Sequence, residues 1–306
     1  MIIRPGQNWF RMLFVWRGSV LQSIIPQLSF VGALSVLAVF THGRIFGEKI
    51  PLSTAPFTLF GLALAIFLAF RNNASYARFI EARHLWGSLL ISARTLTSQV
   101  LNYVPNGDSQ DDRRIFSSLL IAFVYVLKHQ LRRTDPSSDM ERLLGKEQAR
   151  LLNEKNYKPV DILNRLRQVL VALQRDTGYS DMTRWILNEQ LVELGKVVGG
   201  CERIASTPIP FAYSVLLHRT VYAYCVLLPF GLVDSTELFT PLLCVFIAYT
   251  LIALEAIANE VAEPFGLAPN ALALDAMART IERSVLELCE FDVPDELLPG
   301  ESFQLT

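Results

Sequence analysis

Apolar runs long enough to cross a bilayer set the pattern of this chain. Residues 24–41 and 51–70 carry no charged side chain, and neither do 220–233 and 238–254. A hydrocarbon core of about 30 Å asks for about 20 helical residues. The pattern therefore predicts four membrane helices, at about 24–41, 55–70, 212–233 and 238–257. The third is reached by extending its apolar run backwards across His218 and Arg219, and Asp234, Ser235, Thr236 and Glu237 make a short turn before the fourth. Pro56 suits the first turn of the second helix, where its missing N–H costs nothing. Beyond Phe70 no proline occurs before Val104, and Tyr76, Phe79, Ile80, Trp86, Leu89, Leu90 and Ala93 keep helical spacing. The second helix is thus expected to continue to about 104.

Between the early and late pairs, residues 71–206 hold 20 basic and 15 acidic side chains and read as a cytosolic helical region. One run inside it, 115–127, is apolar but spans only about 20 Å. Arg113, Arg114, Lys128, Arg132 and Arg133 flank it, so a crossing would carry a basic cluster outward. A buried helix of a cytosolic bundle is the expectation. The tail, 258–306, is acidic, with a helix at about 272–290 and an extended, proline-containing end. No repeat or Gly/Ser linker divides the chain, which reads as one unit over 1–306.

Charge sets the orientation. Arg4, Arg11 and Arg17 precede the first span with no acid among them, the middle region is positive, and the turn between the last two spans is acidic. Both termini are expected in the cytoplasm. Arg44 and Lys49 against Glu48 in the first short loop argue mildly the other way. The N-terminus interleaves its arginines with Trp9, Phe10, Phe14 and Trp16, without the apolar core and cleavage site of a signal peptide, and is expected to be retained.

The 306 residues are 51% hydrophobic and 19% charged, with a net charge of −1. Mean hydropathy is +0.32 and the pI about 6.4. This balance excludes an ordinary soluble protein and gives no footing for nucleic acid. Cys201, Cys225, Cys244 and Cys289 are too scattered for a disulfide framework and read as small buried hydrophobes. His42, His84, His129 and His218 are far apart, and no HExxH, Walker loop, GxGxxG or GxSxG occurs. Neither an enzyme nor a cofactor or metal site is expected.

On the second helix, Leu62, Ile66 and Phe70 recur every four residues along one face, and Gly61, Ala65 and Ala69 along a face about 100° away. Small residues at this spacing let helices approach closely in lipid, which makes the second stripe a packing stripe. If several copies meet through it around an axis, the bulky stripe points inward as three apolar rings, a gate that blocks ions by dewetting. The same periodicity also fits a lipid-facing or bundle-buried helix. Arg71 and Arg78, just beyond, read either as interface anchors or as charges at the inner mouth.

Several segments carry a family resemblance. Ile3-Arg4-Pro5 opens the chain, and Phe70-Arg71-Asn72-Asn73-Ala74-Ser75-Tyr76-Ala77-Arg78-Phe79 is followed by Glu81-Ala82-Arg83 and Trp86-Gly87. Ile209-Pro210 with Tyr213 precedes the third span, and Glu263-Pro264-Phe265-Gly266 follows the fourth. In this order the set resembles the bestrophin family, nearest its bacterial branch, over nearly the whole chain. The resemblance implies an all-α membrane protein: a homopentameric channel with four membrane helices per subunit, a helical cytosolic chamber and one central pore. It also implies a three-ring apolar neck, which falls here on Leu62, Ile66 and Phe70, and a second cytosolic narrowing, placed at Met182.

One departure concerns calcium. Animal members carry consecutive acids after Pro-Phe-Gly, where this chain has Leu267-Ala268-Pro269-Asn270. Asn270, Asp275, Glu260 and Glu263 are too few and too spread for six to eight oxygen ligands, so calcium activation is not expected. The resemblance implies chloride and other monovalent anions through the animal members, and leaves monovalent cations open for the bacterial branch. The outer-loop charges, Arg44 and Lys49 against Glu48, Asp234 and Glu237, tilt weakly toward cations. The rival reading is a non-conducting oligomeric scaffold or accessory subunit.

Overall fold

A computed structural model describes the chain except residues 5, 7, 17, 46–47, 50–53, 105–109 and 301–302. Pro5 of the Arg-Pro start and Arg17 thus lie outside the described residues, as do the side chains of Glu48 and Lys49. The described elements are α1 (Trp9–Met12), α2 (Leu21–Phe40), β1 (Arg44–Ile45), β2 (Glu48–Lys49), α3 (Thr54–Tyr103), α4 (Gln110–Arg132), α5 (Ser137–Leu144), α6 (Lys146–Asn153), α7 (Lys158–Thr177), α8 (Asp181–Ser206), α9 (Phe211–Thr236), α10 (Thr240–Ala262) and α11 (Leu274–Leu288). Apart from the two-residue antiparallel ladder of β1 and β2, the described architecture is helical.

Packing sorts the chain into two compact units where the sequence reading has one. The first comprises Arg4–Phe79 and Pro208–Glu263; the second comprises Met1–Ile3, Ile80–Thr207 and Pro264–Thr306. No linker marks the division because α3 runs through it unbroken.

In the first unit α10 lies against α2 and α9, and α2 against α9. Val31, Leu64, Leu68, Val221, Cys225, Leu228, Cys244 and Ala248 belong to one buried cluster. Small residues set the closest approaches, as expected where packing replaces water expulsion. A Cβ on Gly231 of α9 would stand 2.5 Å from the Phe57 ring of α3. The turn between α9 and α10 is tight: Glu237 takes φ +44° and starts a short 3₁₀ turn, Glu237–Phe239. Thr240 Oγ1 donates to the Glu237 carbonyl at 2.6 Å and lies 2.9 Å from Thr236 Oγ1, pinning the two helix ends. α10 continues to Ala262, past the expected end at 257, and so carries Asn259 as well as Glu255 inside the helix.

In the second unit α4 is the central element, with α5, α7, α8 and α11 packed on it. Length and hydropathy would let α4 cross a membrane, as they would α2, α3 and α9–α10. What sets it apart is burial on every side, continuous from Leu119 to Lys128. A helix covered all round by its own unit is a core helix. Its last turns hold charges: Lys128 Nζ lies 3.0 Å from Asp275 and 3.4 Å from Asp139, and Arg132 Nη1 lies 2.5 Å from Asp275. Tyr125 donates to the buried Glu282 at 2.6 Å, and Arg142 reaches the same carboxylate at 2.5 Å. The chain ends join this unit, with Ile2 bridging Gln304 and the Thr306 carbonyl accepting from Ala276 N at 2.9 Å.

Asp139 makes this cluster pH-dependent. Burial works against its charge, but the hydrogen bond from His129 and the nearby Lys128 and Arg142 outweigh it and hold the carboxyl at about 2. A carboxyl depressed in the folded state stabilises above its unfolded pKa, and that contribution disappears as pH falls through the folded value. Asp139→Asn is expected to flatten the loss of helix between about pH 4 and pH 2 in acid titrations followed by circular dichroism. An acid limb identical to wild type would remove this pairing from the stability of the unit.

The four cysteines are buried free thiols. Burial, with Glu202 and Glu81 nearby, pushes Cys201 up to about 12, so at neutral pH it stays a thiol and packs as a small hydrophobe.

Candidate functional site

Helical periodicity divides the membrane half of α3 into faces with different surroundings. Leu64, Leu68, Arg71 and Ser75, at spacings of four, three and four, are buried in the first unit. Leu62, Ile66 and Phe70 lie on the opposite side and are 61%, 48% and 67% exposed. The chain buries the face it needs for its own packing and leaves the bulky stripe open. Leu59 and Phe67 are exposed as well, so the open apolar face is broader than the three-residue line.

The small-residue stripe splits. Gly61 faces α9, where an added Cβ would lie 2.7 Å from Tyr224 Oη, so this glycine serves contact within the subunit. Ala65 and Ala69 remain exposed and are available to another helix.

Arg71 and Arg78, seven residues apart, share the inward face. Arg71 is 6% exposed. Its Nη2 donates to Asn259 Oδ1 and, at 3.2 Å, to Ser214 Oγ, while Nη1 lies 3.9 Å from Glu255 Oε1. His218 Nδ1 is 2.9 Å from the same carboxylate oxygen, and its ring sits 4.3 Å from that of Tyr222. The Arg71 charge is therefore matched inside the subunit and is not presented on the side of Leu62, Ile66 and Phe70. Phe70 and Arg71 are adjacent in sequence but 100° apart around the helix, which sends one outward and the other inward. Arg78 Nε donates to the Ala262 carbonyl at 3.1 Å, placing a cation at the C-terminal end of α10, where the helix dipole is negative.

The sequence reading omitted Glu255, Asn259 and Ser214. A signal was present: Glu255 is an acid closing a long apolar run, and an ionisable group there needs a partner. His218, across which the third span was extended, keeps an exposed side chain but turns one nitrogen to Glu255.

In the second unit Met182 lies in the first turn of α8 and is 63% exposed. Ser180 caps this helix, accepting from Thr183 N at 3.1 Å, and thereby fixes the start that carries Met182. Asp275, weighed above as a calcium ligand, is occupied by Lys128 and Arg132. Among the described residues no group of three or more His, Cys, Asp or Glu is placed to hold a metal ion.

Residues 1–287 match the Bacterial/Fungal Bestrophin protein family. A protein of Ralstonia nicotianae named as voltage-dependent anion channel-forming is 44% identical over 94% of both chains. The protein YneE of Salmonella typhi, named in the same way, is 41% identical over 100% of both. A crystal structure of a bacterial bestrophin homolog from Klebsiella pneumoniae superposes with a TM-score of 0.84 at 43% identity, covering 88% of this chain and 99% of that one. With a family match over almost its full length and four long apolar helices, the chain is an integral membrane protein and belongs to the bestrophin family, in its bacterial and fungal branch.

Proposed function

We propose that the chain assembles as a homopentamer around one pore and conducts small monovalent anions, with Leu62, Ile66 and Phe70 of each copy forming a hydrophobic neck. The observation that carries this reading is the outward face of α3. Bulky apolar residues recur every four positions on the side away from the face the subunit buries, and two small residues between the faces stay free for a neighbouring helix. Successive rings would be about 6 Å apart, which makes an apolar throat of about 12 Å. Such a throat excludes ions by holding too little water and opens on modest widening. The names of the relatives support anions and a channel rather than an enzyme.

The remaining parts of the proposal follow the charge pattern and burial. Both termini lie in the cytoplasm of a bacterial cell, α2, the first part of α3, α9 and α10 cross the inner membrane, and α4 stays in the cytosolic region. Met182 forms a second narrowing. Calcium does not gate the pore, since the segment after Pro264-Phe265-Gly266 lacks consecutive acids.

Monovalent cation conduction is the second reading, favoured by the net negative count of the outer loops. Reversal potentials of the protein in planar bilayers under asymmetric salt decide between them. Anion conduction shifts the potential toward the anion equilibrium value, and the opposite sign establishes cations. A purified, correctly assembled protein that passes no ions in liposomes would falsify the channel and leave the scaffold reading.

A further inference from the structure

The segment before α2 is not used by the neck. Trp9, Phe10, Met12, Leu13, Phe14 and Trp16 are each 53–74% exposed, and α1 has no buried residue. Backbone hydrogen bonds continue past α1, from Leu13 N to Phe10 O, Phe14 N to Arg11 O and Val15 N to Met12 O, so the apolar side chains leave a coiled backbone in every direction. A patch that docks on a protein shows one apolar face; here only Arg11 interrupts the apolar surface between Trp9 and Trp16. The rings contact one another, Trp9 with Phe10 at 5.7 Å and Phe10 with Phe14 at 5.4 Å, and this leaves their outer faces open.

We infer that the segment from Trp9 to Trp16 is an interfacial anchor, lying in the headgroup and upper acyl region of the bilayer that holds α2. Three features on the chain select lipid as the occupant. The segment is only a few residues from Leu21, where α2 begins, and α2 itself leaves the apolar Phe30, Leu37 and Phe40 exposed. Tryptophan and arginine together suit the membrane boundary, where the ring bodies meet hydrocarbon and the polar parts meet headgroups. The first 22 residues carry three arginines and no acid, which complements anionic lipid. The inference rests on the membrane placement of α2 and not on the pore.

Tryptophan fluorescence tests it. The chain has four tryptophans; Trp86 is 1% exposed and Trp185 lies in the second unit. In a Trp185→Phe chain reconstituted in phosphatidylcholine and phosphatidylglycerol vesicles, Trp9 and Trp16 therefore report. Lipids brominated near the headgroup are expected to quench the emission at least about twofold more than lipids brominated near the chain ends, as a boundary location requires. Adding Trp9→Phe and Trp16→Phe should abolish that quenching. If Trp185→Phe does not fold, the difference between wild type and the Trp9→Phe, Trp16→Phe chain gives the same reading. Quenching by aqueous iodide without lipid quenching overturns the anchor, and so does protection from both, which means a second copy covers the segment. Ion flux from the same vesicles separates the two proposals: lipid quenching without flux ends the pore and keeps the anchor, and flux without lipid quenching does the reverse.

Discussion

Ile66→Ala is expected to raise ion flux by about tenfold, corresponding to a barrier lowered by about 1.4 kcal/mol. Leu62→Ala and Phe70→Ala act in the same direction. The reason is geometric. In the proposed pentamer each substitution acts once per subunit, so five bulky side chains would leave one level of the throat together and the passage would widen where water is least stable. Because all three side chains are already exposed in the subunit, their truncation opens no cavity in its core, and assembly should persist. Single-channel recording separates a higher open probability from a higher unitary conductance, and either counts as the expected result. Unchanged currents in all three variants would remove the neck from these positions.

Breaking the buried pair between α3 and α10 has the next largest effect. Glu255→Leu leaves the buried Arg71 guanidinium with Asn259 and Ser214 but without its carboxylate, a situation that costs about 3–5 kcal/mol. Arg71→Met leaves Glu255 with the His218 ring as its remaining partner and costs less, because the His218 side chain is exposed to solvent. Combining the two substitutions should return most of the stability, since a matched apolar pair of similar volume replaces a desolvated ion pair. Thermal unfolding of the four proteins in detergent closes the cycle. Additive losses, with no recovery in the double variant, would mean that the two groups do not interact. Since α3 also carries Leu62, Ile66 and Phe70, the same cycle read as ion flux reports whether this anchorage sets the rest position of the proposed neck.

The fold was legible where it depends on local pattern. Charge-free runs of near-membrane length announced the long apolar helices, and the absence of proline after Phe70 announced the continuation of the second. The Arg-Pro start, the segment around Arg71 and the Pro264-Phe265-Gly266 turn identified the family. The polar contacts were not legible. Arg71 and Glu255 are separated by most of the chain, and nothing near either residue specifies the other. Reading Arg71 as either an interface anchor or a charge at the mouth rests on its place after Phe70; the structure turns it inward because one step along a helix is a rotation of 100°.

By itself the sequence determined where the long apolar helices lie, that the second continues to about 104, which residues share a face, and the family. These are properties of neighbours along the chain, governed by length, periodicity and the cost of charge in lipid. Tertiary structure decided which face of α3 is spent on the subunit and which stays open, and that Arg71 meets Glu255, Asn259 and Ser214. Those outcomes depend on which distant surfaces meet, and a helix carries several faces of comparable apolarity, so only packing can choose among them.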